Sequence, residues 1–161
     1  MKRKSDIIWF NRKTVALITG ISLLILSILM PSCKKDPGIS NVPVITFDSI
    51  SPNPAIKYQD TILIVISYKD GDGDLGIDSA DIKNLFVTDS RNNVVSQFRI
   101  PQLAPTGSTI AIQGNLHVVL PPQLFTNDND TTETATYSIY ILDRAGHKSN
   151  TVNSTPLKIN L

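Results

Sequence analysis

The chain has 161 residues, with 15 lysines and arginines against 14 acids, which gives a formal net charge of +1. Five of the basic residues but only one acid precede residue 14, so the 129 residues after Ser32 hold ten bases and 13 acids, a net charge near −3. A mildly acidic body of this length suits one domain and lacks the basic face that nucleic-acid binding requires, so no nucleic-acid partner is expected.

The first 32 residues have the layout of a secretion signal. A basic head is followed by residues 14–32, which carry no charge and end in the small residue Ser32. This order predicts a cleaved leader. The alternative is a retained transmembrane helix, since 19 uncharged residues nearly match the 20 or so that span a bilayer core. Pro31 and the position of Cys33, the sole cysteine, favour cleavage.

The stretch around Cys33 resembles the lipobox of bacterial lipoproteins, with Met30 in the aliphatic slot, Ser32 in the small slot and Cys33 as acceptor. The resemblance implies that Cys33 receives a diacylglyceryl group, that the chain is cut before it and that the new amine is acylated. The residue after the cysteine is Lys34, where lipoproteins kept in the inner membrane have Asp. The resemblance therefore implies that the protein is anchored in the outer membrane, with its domain facing either the periplasm or the cell surface. The resulting plan is a signal peptide over 1–32, a lipidated cysteine with a flexible tether over 33–42, and one domain over 43–161.

The residues after the tether have the rhythm of an all-β protein. Apolar side chains alternate with polar ones in short runs that Pro, Gly, Asn and Asp separate, and no run shows helical spacing. About seven such runs in some 120 residues predict a β-sandwich. The runs are 44–47, 61–68, 85–88, 94–100, 109–120, 134–142 and 152–161.

Two local patterns resemble immunoglobulin-like domains. Residues 133–139 are similar to the start of the sixth strand of that fold, which implies that Tyr137 forms a tyrosine corner with its hydroxyl bonded back to the backbone, and that Ile139 fills the slot of the usual cysteine. Residues 143–149 resemble the Asp-x-Ala-Gly-Asn-x-Ser turn before the last strand, with His147 in place of Asn. The resemblance implies an immunoglobulin-like sandwich and does not specify a function.

An acidic, glycine-rich stretch follows the strongest predicted strand. Asp70, Asp72 and Asp74 alternate with glycines, and this spacing lets three carboxylates bind one hard cation such as Ca²⁺. Asp78 or Asp81 would close the site, with Asp143 from a neighbouring turn as a further ligand. The role predicted for the ion is structural. The alternative is a solvated turn, because Asp and Gly favour turns; against it, three adjacent acids repel one another without a counterion.

No catalytic constellation is present in the sequence, so we expect a non-enzymatic protein. His117 and His147 have no neighbours at metal-ligand spacing and are expected at the surface. The favoured function is a β-sandwich that binds a protein partner or scaffolds an assembly. The alternative is a glycan-binding accessory lipoprotein, which would use exposed rings for stacking. The candidates for such rings are Tyr140, Tyr58 and Phe125.

Overall fold

The computed structural model describes residues 38–127 and 129–161, and these contain strands but no helix. The predicted signal peptide, its predicted cleavage site and Cys33 lie outside the described residues. The strands are β1 (Val44–Ser51), β2 (Ala55–Ile56), β3 (Ile62–Asp70), β4 (Leu85–Asp89), β5 (Val95–Phe98), β6 (Ile112–Leu120), β7 (Thr132–Ala135), β8 (Tyr137–Ile141), β9 (Val152–Asn153) and β10 (Leu157–Asn160).

The strands form a sandwich with immunoglobulin-like connectivity. One sheet has the order β1-β3-β6, and the facing sheet has the order β5-β4-β8-β9. A small third sheet, β2-β10-β7, continues the second, because β7 and β8 are separated only by Thr136. The all-β prediction is confirmed, and each of the seven predicted runs contains a strand. The short β2, which pairs in parallel with β10, was not predicted.

Alternation along the central strands builds the core. Ile62, Ile64 and Ile66 of β3 are fully buried, and they face Ile139 and Ile141 of β8 within one apolar cluster. Full burial of a side chain of this size contributes roughly 1.5–3 kcal/mol. The core therefore holds the two sheets together without a disulfide, and it fixes the loops at both ends of the sandwich.

The two outer strands of the first sheet, β1 and β6, differ in how far their outer edges are open to another strand. On β1, the side chain of Asn150 accepts from the Ile45 amide and donates to the Ile45 carbonyl, both at 2.8 Å, and a bulge interrupts the strand between Phe47 and Ser49. Within the part of the chain that the structure describes, β6 has no second neighbour in its sheet, and its nine residues include no Lys, Arg, Asp, Glu or Pro. Such an edge is open to pairing with another strand.

The described part of the predicted tether, residues 38–42, packs on the domain instead of leaving it freely. The Gly71 amide donates to the Ser40 carbonyl at 2.8 Å, and the Val42 amide donates to the Ser40 hydroxyl. A Cβ at position 71 would overlap the carbonyl oxygen of Ile39, so only glycine permits this approach. The boundary predicted at residue 42 is thus too late: the chain joins the domain by Ser40.

Candidate metal centre

Asp70 is buried because it continues the inward-facing row of β3. Alternate residues of this strand face the core, from Ile62 to Tyr68, and Asp70 is the next in that row. It has no exposed surface. Its Oδ2 accepts from the Leu75 amide at 2.9 Å, and Leu75 is itself fully buried, which closes the loop after β3 over the end of the core.

Two glycines give this loop its path. Gly73 and Gly76 have φ values of 72° and 85°, in the left-handed region that favours glycine. A Cβ on Gly73 would overlap the Ile110 carbonyl, and one on Gly76 would overlap the Pro101 carbonyl. The loop, which we call the acidic loop (residues 70–76), is therefore held closely between the neighbouring segments.

The acidic loop brings three carboxylates to one point. One oxygen from each of Asp70, Asp72 and Asp74 lies within 4.8 Å of the other two. The Oδ1 atoms of all three are buried, and none has a hydrogen-bond partner among residues 38–127 and 129–161. Oxygens that bind one Ca²⁺ at about 2.3–2.6 Å lie up to about 5 Å apart, so this spacing suits Ca²⁺.

The electrostatics of the cluster are unfavourable while no cation balances it. Burial, then the charges of Asp72, Asp74 and Asp143, raise the pKa of Asp70, although the bond from the Leu75 amide opposes the shift. Burial and the charges of Asp143 and Asp72 likewise raise the pKa of Asp74. Both directions mean that the ionised cluster is costly in this environment.

The turn between β8 and β9 packs against the acidic loop. The Ala145 amide donates to Asp74 Oδ2 at 3.0 Å, and the Arg144 amide donates to the Asp74 carbonyl at 3.3 Å. The Arg144 guanidinium donates to the carbonyls of Gly76, at 3.0 Å, and Gly73, at 3.3 Å. This turn, residues 143–149, is the one that resembles the immunoglobulin-like repeats.

The other predicted ligands do not join the group. Asp78 and Asp81 are exposed, because the Ile77 amide bonds to the Ile100 carbonyl and directs the following chain away from the loop. Asp78 and Asp81, the alternatives predicted to close the site, are thus not among the carboxylates that lie within 4.8 Å of one another. Asp143 is buried beside the cluster, but its Oδ1 and Oδ2 accept from the amide and Nδ1 of His147 at 2.7 and 2.9 Å. Asp143 therefore lies next to the three-acid group, with its two carboxylate oxygens bonded to His147.

Tyr137, which was predicted to form a tyrosine corner with the backbone, has a side-chain acceptor for its hydroxyl. Tyr137 is fully buried, and its hydroxyl lies 3.1 Å from Oε1 of Gln123, whose amide group donates to the Pro121 carbonyl. The expected backbone acceptor is thus replaced by a side chain from the connection after β6. Burial, then the charge of Asp89, raises the pKa of Tyr137 to about 12.

The three aromatic candidates for glycan stacking differ in how much of each ring is free, and only Tyr58 among them is well exposed. Tyr140 stacks on Phe86 with ring centroids 4.8 Å apart, and Lys148 Nζ lies 3.9 Å from the Tyr140 centroid. Phe125 is buried, and Tyr58 is exposed with Lys57 Nζ 4.8 Å from its centroid. His117 is exposed, as is the side chain of His147 despite its bond to Asp143.

Sequence reasoning missed a buried ionic cluster at the other end of β8. Arg91 bonds Asp89 at 2.6 Å and Glu133 at 2.9 Å, and its side chain is 8% exposed. Its remaining donors reach the Leu124 carbonyl and Gln123 Oε1. The cluster lines a cleft of about 510 Å³ between the β4–β5 turn and the connection after β6. No local spacing pattern reveals it, because its members come from three separate segments.

Comparison with known proteins yields no match to this chain among family models, curated proteins or solved structures. Among residues 38–127 and 129–161, no helix has the length and apolarity needed to cross a membrane.

Proposed function

We propose that this chain is a lipid-anchored outer-membrane protein whose non-enzymatic immunoglobulin-like domain binds Ca²⁺ in the acidic loop as a structural ion. One observation carries the calcium proposal. One carboxylate oxygen from each of Asp70, Asp72 and Asp74 lies within 4.8 Å of the other two, and the Oδ1 atom of each is buried with no hydrogen-bond partner in the described residues. Buried charges are normally paired or coordinate metals, and an ordinary solvated turn would leave these oxygens exposed to water.

The ion would stabilise the end of the sandwich. It would neutralise the cluster and join β3 to the loop that follows it, while the turn after β8 is already bonded to Asp74. Ca²⁺ prefers six to eight oxygens, so water and backbone carbonyls would supply the ligands that three carboxylates do not. Nothing in this arrangement calls for the ion to activate water.

Calorimetric titration of the soluble domain, residues 38–161, tests the calcium proposal. We expect saturable 1:1 binding of Ca²⁺, loss of the heat signal in Asp74→Asn, and no change in Asp78→Asn, the exposed acid that follows the same loop. Equal titration curves for the wild-type protein and Asp74→Asn would exclude binding at this site.

The anchor rests on the sequence around Cys33. Intact-mass analysis of protein extracted from membranes provides its test. A chain that begins at Cys33 and carries the mass of a diacylglyceryl group plus an amide-linked acyl chain supports the anchor. A mass equal to that of the whole unmodified chain from Met1 contradicts it, and so does a loss of the leader without added lipid.

The proposed partner is an extended segment of a second protein, which would pair with the free edge of β6. Backbone amides and carbonyls along such an edge pair with another strand, and β6 has none of the charges that usually prevent this. Protein is favoured over glycan, because the two faces of the Tyr140 ring contact Phe86 and Lys148.

Site-specific photo-crosslinking in intact cells tests the strand-pairing proposal. A crosslinker replaces His117 on β6 or, as the control, Val65, the residue opposite it on the central strand β3. We expect an adduct from position 117 only, and its loss when Val119, which is exposed on the same strand, is changed to Lys. Equal adducts from both positions, or an adduct that persists with Val119→Lys, would contradict pairing at this edge.

A further inference from the structure

The contacts of the β8–β9 turn suggest that it belongs to the metal site as well as to the hairpin. Asp74 is the only member of the three-acid group that this turn touches, and the turn bonds both its carbonyl and its Oδ2. The same turn reaches both glycines that flank Asp74 and Leu75, through the guanidinium of Arg144. Four hydrogen bonds therefore fix the third carboxylate from outside the acidic loop.

Arg144 has two opposite effects on the binding of Ca²⁺, one through its charge and one through its hydrogen bonds. As a charge, it repels a cation and stabilises the Asp74 carboxylate in the empty site, so its removal would strengthen binding. Its guanidinium also bonds two carbonyls of the acidic loop and thereby holds the Asp74 carboxylate in place, so its removal would weaken Ca²⁺ binding. Outer-shell groups that orient metal ligands typically change affinity by about 10–100-fold when mutated.

The geometry favours the second effect. The guanidinium of Arg144 donates to two carbonyls and to none of the three carboxylates, so its hydrogen bonds hold the backbone of the acidic loop. The carbonyls belong to Gly73 and Gly76, the two positions of the acidic loop with left-handed φ, where glycine gives the backbone the most freedom to depart from the observed path. A planar guanidinium can bridge both carbonyls at once, and the ammonium of lysine lacks that shape.

We propose that Arg144 is a positioning residue for calcium, which holds the acidic loop in its ligand-bearing conformation, so that cation binding and docking of the β8–β9 turn are linked. This inference rests on the proposed calcium site. It adds that the affinity of that site is set in part by a residue 70 positions away in sequence from Asp74.

The chain offers a matched control in Arg99. Its guanidinium also donates to two carbonyls, those of Ile77 and Asp78, just beyond the acidic loop, and it is bonded to no residue of the three-acid group. Arg99→Ala and Arg144→Ala remove the same charge and the same kind of bond. Arg144→Lys keeps the charge and removes only the fork.

The test measures the Ca²⁺ dissociation constant by calorimetry for the wild-type domain, Arg144→Ala, Arg144→Lys and Arg99→Ala. Melting curves in chelator show which variants are folded before calcium is added. We expect Arg144→Ala to bind about 10–100-fold more weakly. Arg144→Lys should also bind more weakly, toward the lower end of that range, and Arg99→Ala should bind as tightly as the wild type or more tightly.

Hydrogen exchange of residues 143–147 provides a second measurement that does not depend on the alanine variant. In the wild type, Ca²⁺ should slow exchange in this turn; in Arg144→Lys at saturating Ca²⁺ the slowing should be smaller. Unchanged affinity in Arg144→Lys, tighter binding in Arg144→Ala, or equal weakening in Arg99→Ala would overturn the inference while leaving the calcium site intact. No binding by the wild-type domain would instead refute the proposed function itself.

Discussion

Asp72→Asn provides a test in which the sign of the effect reverses with calcium. Asp72 is half-buried and, unlike Asp70 and Asp74, its carboxylate accepts no hydrogen bond from a described residue, so the change removes a charge without breaking a contact. In chelator the variant should be more stable than the wild type, because one of three mutually repelling carboxylates has been neutralised. In calcium it should be less stable, because a charged ligand has been lost.

The magnitudes follow from the spacing and from linkage. Two unit charges 4.8 Å apart, the upper limit of the spacing, repel by about 1 kcal/mol in a water-like environment, and Asp72 forms two such pairs, so the gain in chelator is about 2 kcal/mol. For the wild type, Ca²⁺ at about 1,000 times its dissociation constant stabilises the fold by about 4.1 kcal/mol. If the variant binds about 100-fold more weakly, about 2.7 kcal/mol of this is lost at the same concentration. At about 4 °C per kcal/mol, the expected changes are about +8 °C in chelator and about −3 °C in calcium, once the gain is included.

Differential scanning calorimetry on the domain, in buffer with chelator and in buffer with saturating Ca²⁺, measures both changes. Asp78→Asn is the matched control, since it removes an exposed acid close in sequence and should move neither melting temperature by more than about 2 °C. A melting temperature for Asp72→Asn that falls in both buffers, or rises in both, would refute the reasoning.

Three further predictions concern other parts of the domain. The raised pKa values of Asp70 and Asp74 contribute stability that is present below the unfolded value of 3.8 and lost as pH rises through the folded-state values, so the melting temperature in chelator should fall as pH rises from about 4, and Ca²⁺ should reduce the fall; no fall in chelator contradicts this. Arg91→Met should cost about 3–5 kcal/mol in urea unfolding, because it leaves two buried carboxylates without their cation; a cost near that of Arg99→Met would show that the cluster is not stabilising. Gly71→Ala should release residues 38–42 and speed proteolysis there, and an unchanged cleavage rate counts against the docked tether.

The alternation of apolar residues was enough to predict the sheets, since period-2 burial is a local property that each strand carries. Ile62, Ile64 and Ile66 are buried as expected, and the same count, extended by two residues beyond Tyr68, explains the burial of Asp70. The three aspartates of the acidic loop were found for a similar reason, because their convergence depends on a spacing within five residues.

Features that depend on distant segments could not be predicted in this way. The sequence predicted Asp78 or Asp81 as the closing ligand, but the Ile77 amide bonds the Ile100 carbonyl and both acids are exposed. The Tyr137 hydroxyl meets Gln123, 14 residues upstream, because the connection after β6 folds over the end of the sandwich. Hydrogen-bond partners of this kind depend on how the loops pack together, which the spacing of residues along one segment does not specify.

The two ends of β8 give the strongest physical reason to expect a cation in the acidic loop. Near Tyr137, the fold buries Asp89 and Glu133 and supplies Arg91, which bonds both. Past Ile141, the fold buries carboxylates again, but the nearby arginine, Arg144, donates its side-chain bonds to backbone carbonyls, and three carboxylate oxygens stay unpaired. Buried acids without a paired base are costly, and proton uptake or a bound cation relieves that cost. The calcium proposal takes the balancing charge from solution, and a ligand set of oxygens alone suits a hard divalent ion such as Ca²⁺.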